Sequence, residues 1–186
     1  MMWIAGAVVV VVVVAALLIA RAYNGLVAKR NRSANAWSQV DVQLRRRYDL
    51  IGNLVETVKG YAAHEQGTFD AVAQARARAQ RAEGPAAQAQ AEAALSGALG
   101  RLIAVAEAYP TLRATENFQR LQAELSGTEN RIAVARQVYN DTVLTYDNAR
   151  QQLPTNVIAG LFGFQSREYF DVADGDAARS PVPVSF

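Results

Sequence analysis

Apolar positions recur in alternating steps of three and four over residues 118–153: Phe118, Leu121, Leu125, Thr128, Ile132, Ala135, Tyr139, Thr142, Tyr146, Ala149 and Leu153. That spacing keeps one narrow stripe against partner helices, so the segment reads as a long bundle helix, roughly 55 Å at about 1.5 Å per residue. Large residues (Leu125, Ile132, Tyr139, Tyr146, Leu153) and small ones (Thr128, Ala135, Thr142, Ala149) each repeat with the heptad, which lets layers interdigitate with a neighbour.

The same spacing governs an earlier seam, Trp37, Val40, Leu44, Arg47, Ile51, Leu54, Val58 and Tyr61. It predicts a first long helix that continues from the N-terminal segment as a rod and ends near Gly60 and the His64–Gly67 turn. Thr68 is the expected N-cap of a second helix over 68–83, stopped by Gly84-Pro85. A third helix over 86–108 turns Leu95, Leu99, Leu102, Ile103 and Ala106 inward and ends at Tyr109-Pro110, and Thr115 is the expected N-cap of the fourth. The fold class expected is all-α: a transmembrane helix continuing into an antiparallel up-down helical bundle with long first and last helices.

Residues 1–20 hold no charged side chain and include seven consecutive valines, Val8 to Val14. About twenty such residues span the hydrocarbon of a bilayer, so a transmembrane helix is expected over 1–22. A cleaved signal peptide is the alternative, disfavoured because no Lys or Arg precedes the apolar run. The bundle is then expected over 23–153, and an aromatic C-terminal segment with a mobile tail over 154–186. The returning helix brings Leu161, Phe162, Phe164, Tyr169 and Phe170 toward lipid or a neighbouring subunit.

Charge refines the topology. Arg21, Lys29, Arg30 and Arg32 follow the apolar run directly, and the positive-inside rule puts the bulk of the chain in the cytoplasm of a single-pass bacterial inner-membrane protein. The opposite, extracytoplasmic placement is the alternative. With no cysteine and one histidine, disulfides, thiolate metal sites and histidine-dependent triads lack their residues, and no cofactor is expected.

Arg47 is the anomaly of the first seam, because a buried guanidinium needs an acceptor. Matching the antiparallel helices from residues 24 and 153 puts it level with Glu129 and Asn130, and an Arg47–Glu129 ion pair is expected. Such a group is usually a register-setting polar layer, with a polar pocket as the functional alternative. Asp41, Arg45 and Asp49 stand at i, i+4 and i+8, an exposed ion-pair ladder and a candidate face for a partner. Arg45-Arg46-Arg47 is spread around the helix with no aromatic platform, so nucleic acid is not an expected partner. His64-Glu65 lacks the second histidine that a zinc helix requires.

Taken together, Tyr23-Asn24, Ala36-Trp37-Ser38-Gln39-Val40-Asp41, Asp49-Leu50-Ile51, Asn53-Leu54-Val55, Gly60-Tyr61-Ala62-Ala63-His64-Glu65, Glu129-Asn130-Arg131-Ile132, Tyr139-Asn140, Phe162-Gly163-Phe164 and the final Val184-Ser185-Phe186 resemble the LemA family of bacterial membrane proteins. One departure is Gly52, where the family pattern usually has proline. The resemblance implies one N-terminal membrane helix, a helical bundle and no established catalytic activity. Some family members are associated with building magnetosome membranes, which implies membrane organisation without assigning any residue a role. The expectation is a non-enzymatic, membrane-anchored scaffold that meets the lipid bilayer and forms a homo-oligomer. The alternative is an adaptor subunit of a membrane protease, kinase or transporter.

Overall fold

The computed structural model describes residues 1–171; the segment read as a mobile tail, from Asp174 onward, lies outside them. Six helices follow in order: α1 (Met2–Lys59), α2 (Gln66–Arg81), α3 (Pro85–Glu107), α4 (Pro110–Arg113), α5 (Glu116–Gln151) and α6 (Thr155–Leu161). Among the described residues there is no strand. The chain is an all-helical bundle headed by a long apolar helix. The described residues divide into two compact units, Met1–Arg45 with Thr128–Glu168, and Arg46–Gly127 with residues 169–171.

Within the first unit the N-terminal part of α1 meets the C-terminal part of α5. The Trp37 and Tyr139 rings lie 5.2 Å apart, and Leu26 shares a buried cluster with Tyr146, Ala159 and Phe164. Moving back along α1 therefore means moving forward along α5, which makes the pair antiparallel. The seam residues Ile132, Tyr139 and Tyr146 are buried as their heptad spacing requires. Leu153, expected as the last large layer, is instead 78% exposed: α5 ends at Gln151 and the chain turns away through a cis Leu153-Pro154 peptide.

The second unit buries Ile51, Leu54 and Val58 of α1, Phe69, Val72, Ala75 and Ala79 of α2, Leu95 and Leu102 of α3, and Phe118, Leu121 and Leu125 of α5. Each large apolar side chain so buried contributes about 1.5–3 kcal/mol. Tyr61, expected at the end of the first seam, is exposed because the helix has already ended at Lys59.

The helix ends follow local chemistry, with one correction. α2 starts at Gln66 rather than after Thr68, and its N-cap residue Glu65 makes no side-chain cap. Successive turns, Glu65 N–H to Ala62 O at 3.1 Å and Thr68 N–H to Glu65 O at 3.0 Å, draw the chain into helical geometry before Thr68 is reached. Gly84, at φ 85°, takes the left-handed turn that lets Pro85 open α3. Tyr109, ahead of Pro110, leaves helical geometry at φ −116°, ψ 88°. The single turn α4 that follows is an addition to the four expected helices, and it buries Leu112.

α6 is the other addition, and its end is specific. Gly163 sits at φ 68°; Phe164 N–H donates to Ala159 O at 2.9 Å and Gly163 N–H to Gly160 O at 3.4 Å. These are the two bonds of a Schellman motif, which needs a left-handed residue at this position. The reversal carries Phe164 into the core beside Leu26 and Tyr146 while Phe162 stays outside.

Candidate functional site

The most concentrated polar chemistry lies in the second unit, where α1 and α3 face each other. Arg47 Nη1 donates to Glu92 Oε2 at 2.6 Å, with side chains 3% and 8% exposed. Arg47 Nη2 donates to Ser96 Oγ at 2.7 Å. Tyr48 Oη donates to Glu92 Oε1. Gln88 Nε2 lies 3.1 Å from the same oxygen, 2.8 Å from Tyr48 Oη and 3.1 Å from the Ala79 carbonyl of α2.

A carboxylate carried into the interior must have its lone pairs filled, and Glu92 receives a guanidinium, a phenol and an amide. Burial first, and then the hydrogen bond and charge of Glu92, push the Tyr48 phenol far above its ordinary value of 10.0, against the opposing pull of Gln88 and Arg47. The Tyr48 phenol is thereby held protonated, and Glu92 is engaged by three donors. The arrangement joins α1 to α3 through a shared polar network.

Of the expected polar layer, Arg47 is buried. Glu129 and Asn130 belong to the other unit, where Asn130 lines a shallow groove with Gln39, Gln43, Arg131, Val134 and Ala135. Glu92 was not anticipated, although its position carried a signal. The stripe Leu95, Leu99, Leu102, Ala106 extends backward by the same alternating steps to Glu92 and Gln88. Both are buried.

On the candidate partner face, exposed Arg45 bonds half-buried Asp41 at 2.7 Å, and Asp49 is exposed. His64 is exposed. Among the described residues no three His, Cys, Asp or Glu side chains gather in a way that could hold a metal.

The aromatic segment splits in two. In the first unit Tyr23, just past the apolar run of α1, meets Phe162 and Phe164 edge-on at 5.0 and 5.5 Å between ring centroids, and the Arg30 guanidinium lies 5.5 Å from the centre of the Phe164 ring. Phe164 is buried, whereas Leu161 and Phe162 are exposed. Tyr139 Oη donates to Glu168 O at 2.7 Å and Tyr146 Oη to Gln165 O at 2.8 Å, which ties the chain after α6 to α5. Burial raises both phenols, with Arg167 opposing the rise at each. Tyr169 and Phe170 fall in the second unit, Phe170 buried and Tyr169 exposed.

An apolar helix left uncovered over its hydrophobic stretch and a bundle whose polar interior is closed to solvent define a membrane-associated helical protein. Residues 36–186 match the sequence profile of the LemA family, and the chain belongs to that family. It is similar to the magnetosome proteins MamQ 1 and MamQ 2 of Paramagnetospirillum magneticum, each 30% identical over 174 residues, and to magnetosome protein MamQ of Magnetospirillum gryphiswaldense, 28% identical over the same length. Each match covers 80% of this chain and 64% of the relative's own length.

Proposed function

We propose that this protein is a non-enzymatic scaffold, anchored in the inner membrane by the first turns of α1, which self-associates to organise the bilayer or recruit partners to it. The observation that carries the reading is the state of that helix. No residue of its most hydrophobic window is buried in the protein, and an exposed run of valines is stable only in lipid. Arg21, Lys29, Arg30 and Arg32 favour a cytoplasmic bundle. The similarity to proteins named for the magnetosome supports a role at a membrane.

The test is the mass of the full-length protein in mild detergent, with cross-linking in native membranes beside it. A discrete homo-oligomer in both is expected. A monomer in both overturns self-association and leaves the adaptor reading, for which charge reversal at Asp41, Arg45 and Asp49 should then remove a cross-linked partner.

A further inference from the structure

α6 has no charged side chain, and beyond Thr155 and Asn156 in its first turn its buried and its exposed residues alike are apolar or glycine. Ile158 and Ala159 are buried, Ala159 against Leu26, Tyr146 and Phe164. On the other side Val157, Leu161 and the capping residue Phe162 are 62%, 74% and 51% exposed. An apolar face left bare belongs against something rather than at a water surface.

Its position says what that is. Phe162 lines one groove with Ala16, Ile19, Ala20, Tyr23 and Asn24, so the exposed side of α6 is continuous with the last turns of the apolar span. Arg21 and Arg30 are exposed on that part of α1, where cations would face the phosphates of a bilayer spanned by the apolar run, and the Tyr23–Phe162 pair would supply the aromatic partner of such a boundary. A second copy of the chain fits less well as occupant. Three side chains fall far short of the roughly 800 Å² per partner that a stable protein interface buries.

We propose that α6 is a second membrane contact, a short interfacial helix that inserts Val157, Leu161 and Phe162 into the headgroup–acyl boundary beside the anchor. The inference rests on the anchored reading and deepens it. One spanning helix by itself is free to tilt and to slide in depth. A lateral wedge held to the same helix by the Phe164 core fixes both.

Because the chain has no cysteine, single-cysteine variants can carry a nitroxide without background. Leu161→Cys, Val11→Cys in the span and Val134→Cys on the exposed face of α5 would be labelled in the full-length protein. Each would be reconstituted in phosphatidylcholine vesicles containing phosphatidylglycerol, and its collision rates with oxygen and with a water-soluble nickel chelate measured. The expected result is a Leu161 label reached by oxygen and shielded from nickel, about 5–10 Å below the headgroups, with Val11 deeper and Val134 aqueous. A Leu161 label as open to nickel as Val134, with Val11 still in lipid, overturns the inference and leaves the anchor standing. A Leu161 label shielded from both reagents means protein covers α6 and also overturns it. A Val11 label open to nickel sinks the anchored reading and this inference with it.

Discussion

The guanidinium of Arg47 and the carboxylate of Glu92 meet at 2.6 Å, joining α1 to α3 inside the second unit with both side chains almost wholly removed from solvent. Pairs of this kind rarely add net stability against a well-packed apolar alternative, but the loss of one member is costly because the other charge stays buried. Here the pair is placed among Tyr48, Gln88 and Ser96, so sliding α3 along α1 by a turn would break several bonds at once. The polar layer acts as a register lock between these two helices.

Glu92→Leu alone is expected to destabilise the protein by about 3–5 kcal/mol, whereas Arg47→Met with Glu92→Leu should recover most of that loss. Thermal unfolding followed by circular dichroism in mild detergent checks both. Equal destabilisation by the single and double variants would refute the pairing energetics.

The Tyr48 phenol gives a pH signature. Its value in the folded protein lies above the ordinary 10.0, so between those two values the folded state holds a proton that the unfolded state has released. Stability from this group is therefore complete below pH 10 and falls as pH rises beyond it. Tyr48→Phe should weaken the protein by about 1.5–3 kcal/mol at neutral pH and flatten the alkaline fall. The readouts are unfolding midpoints at neutral and alkaline pH, together with phenolate absorbance.

Tyr139 and Tyr146 each hold one backbone carbonyl of the segment after α6, Glu168 O and Gln165 O. Replacing both with phenylalanine removes about 1 kcal/mol per bond and should raise local opening about 5–30-fold. Trypsin cleavage after Arg167 should accelerate accordingly while the helical signal of the bundle is unchanged.

Two glycines should respond in opposite directions. At Gly52, inside α1, an added methyl group meets the Arg76 guanidinium at 3.6 Å, an ordinary contact, so Gly52→Ala should stabilise by about 0.5–1 kcal/mol through the helix backbone. At Gly163 there is open space, but φ is 68°, so Gly163→Ala should cost about 1–2 kcal/mol and loosen Phe164 from its core. Denaturant unfolding measures the first and tryptic cleavage after Arg167 the second.

What the sequence alone determined is what local periodicity and backbone chemistry control. The stripe through Phe118, Ile132, Tyr139 and Tyr146 is buried because a helix repeats every 3.6 residues whatever lies opposite it. Gly84-Pro85 and Pro110 interrupt helices because of their own φ angles and missing donors. The apolar N-terminal run and the family follow from residues that stand in the chain itself. The burial of Arg47 was legible for the same reason, as a seam position.

Its bond to Glu92 was not, because that depends on how far α3 slides along α1, and no local pattern sets the register of two helices separated by a turn and a third helix. The sorting of Phe164 inward and Phe162 outward was likewise decided in three dimensions. Two aromatic residues flanking a glycine look alike in sequence, and only the left-handed turn at Gly163, closed on the carbonyls of Ala159 and Gly160, gives them opposite surroundings.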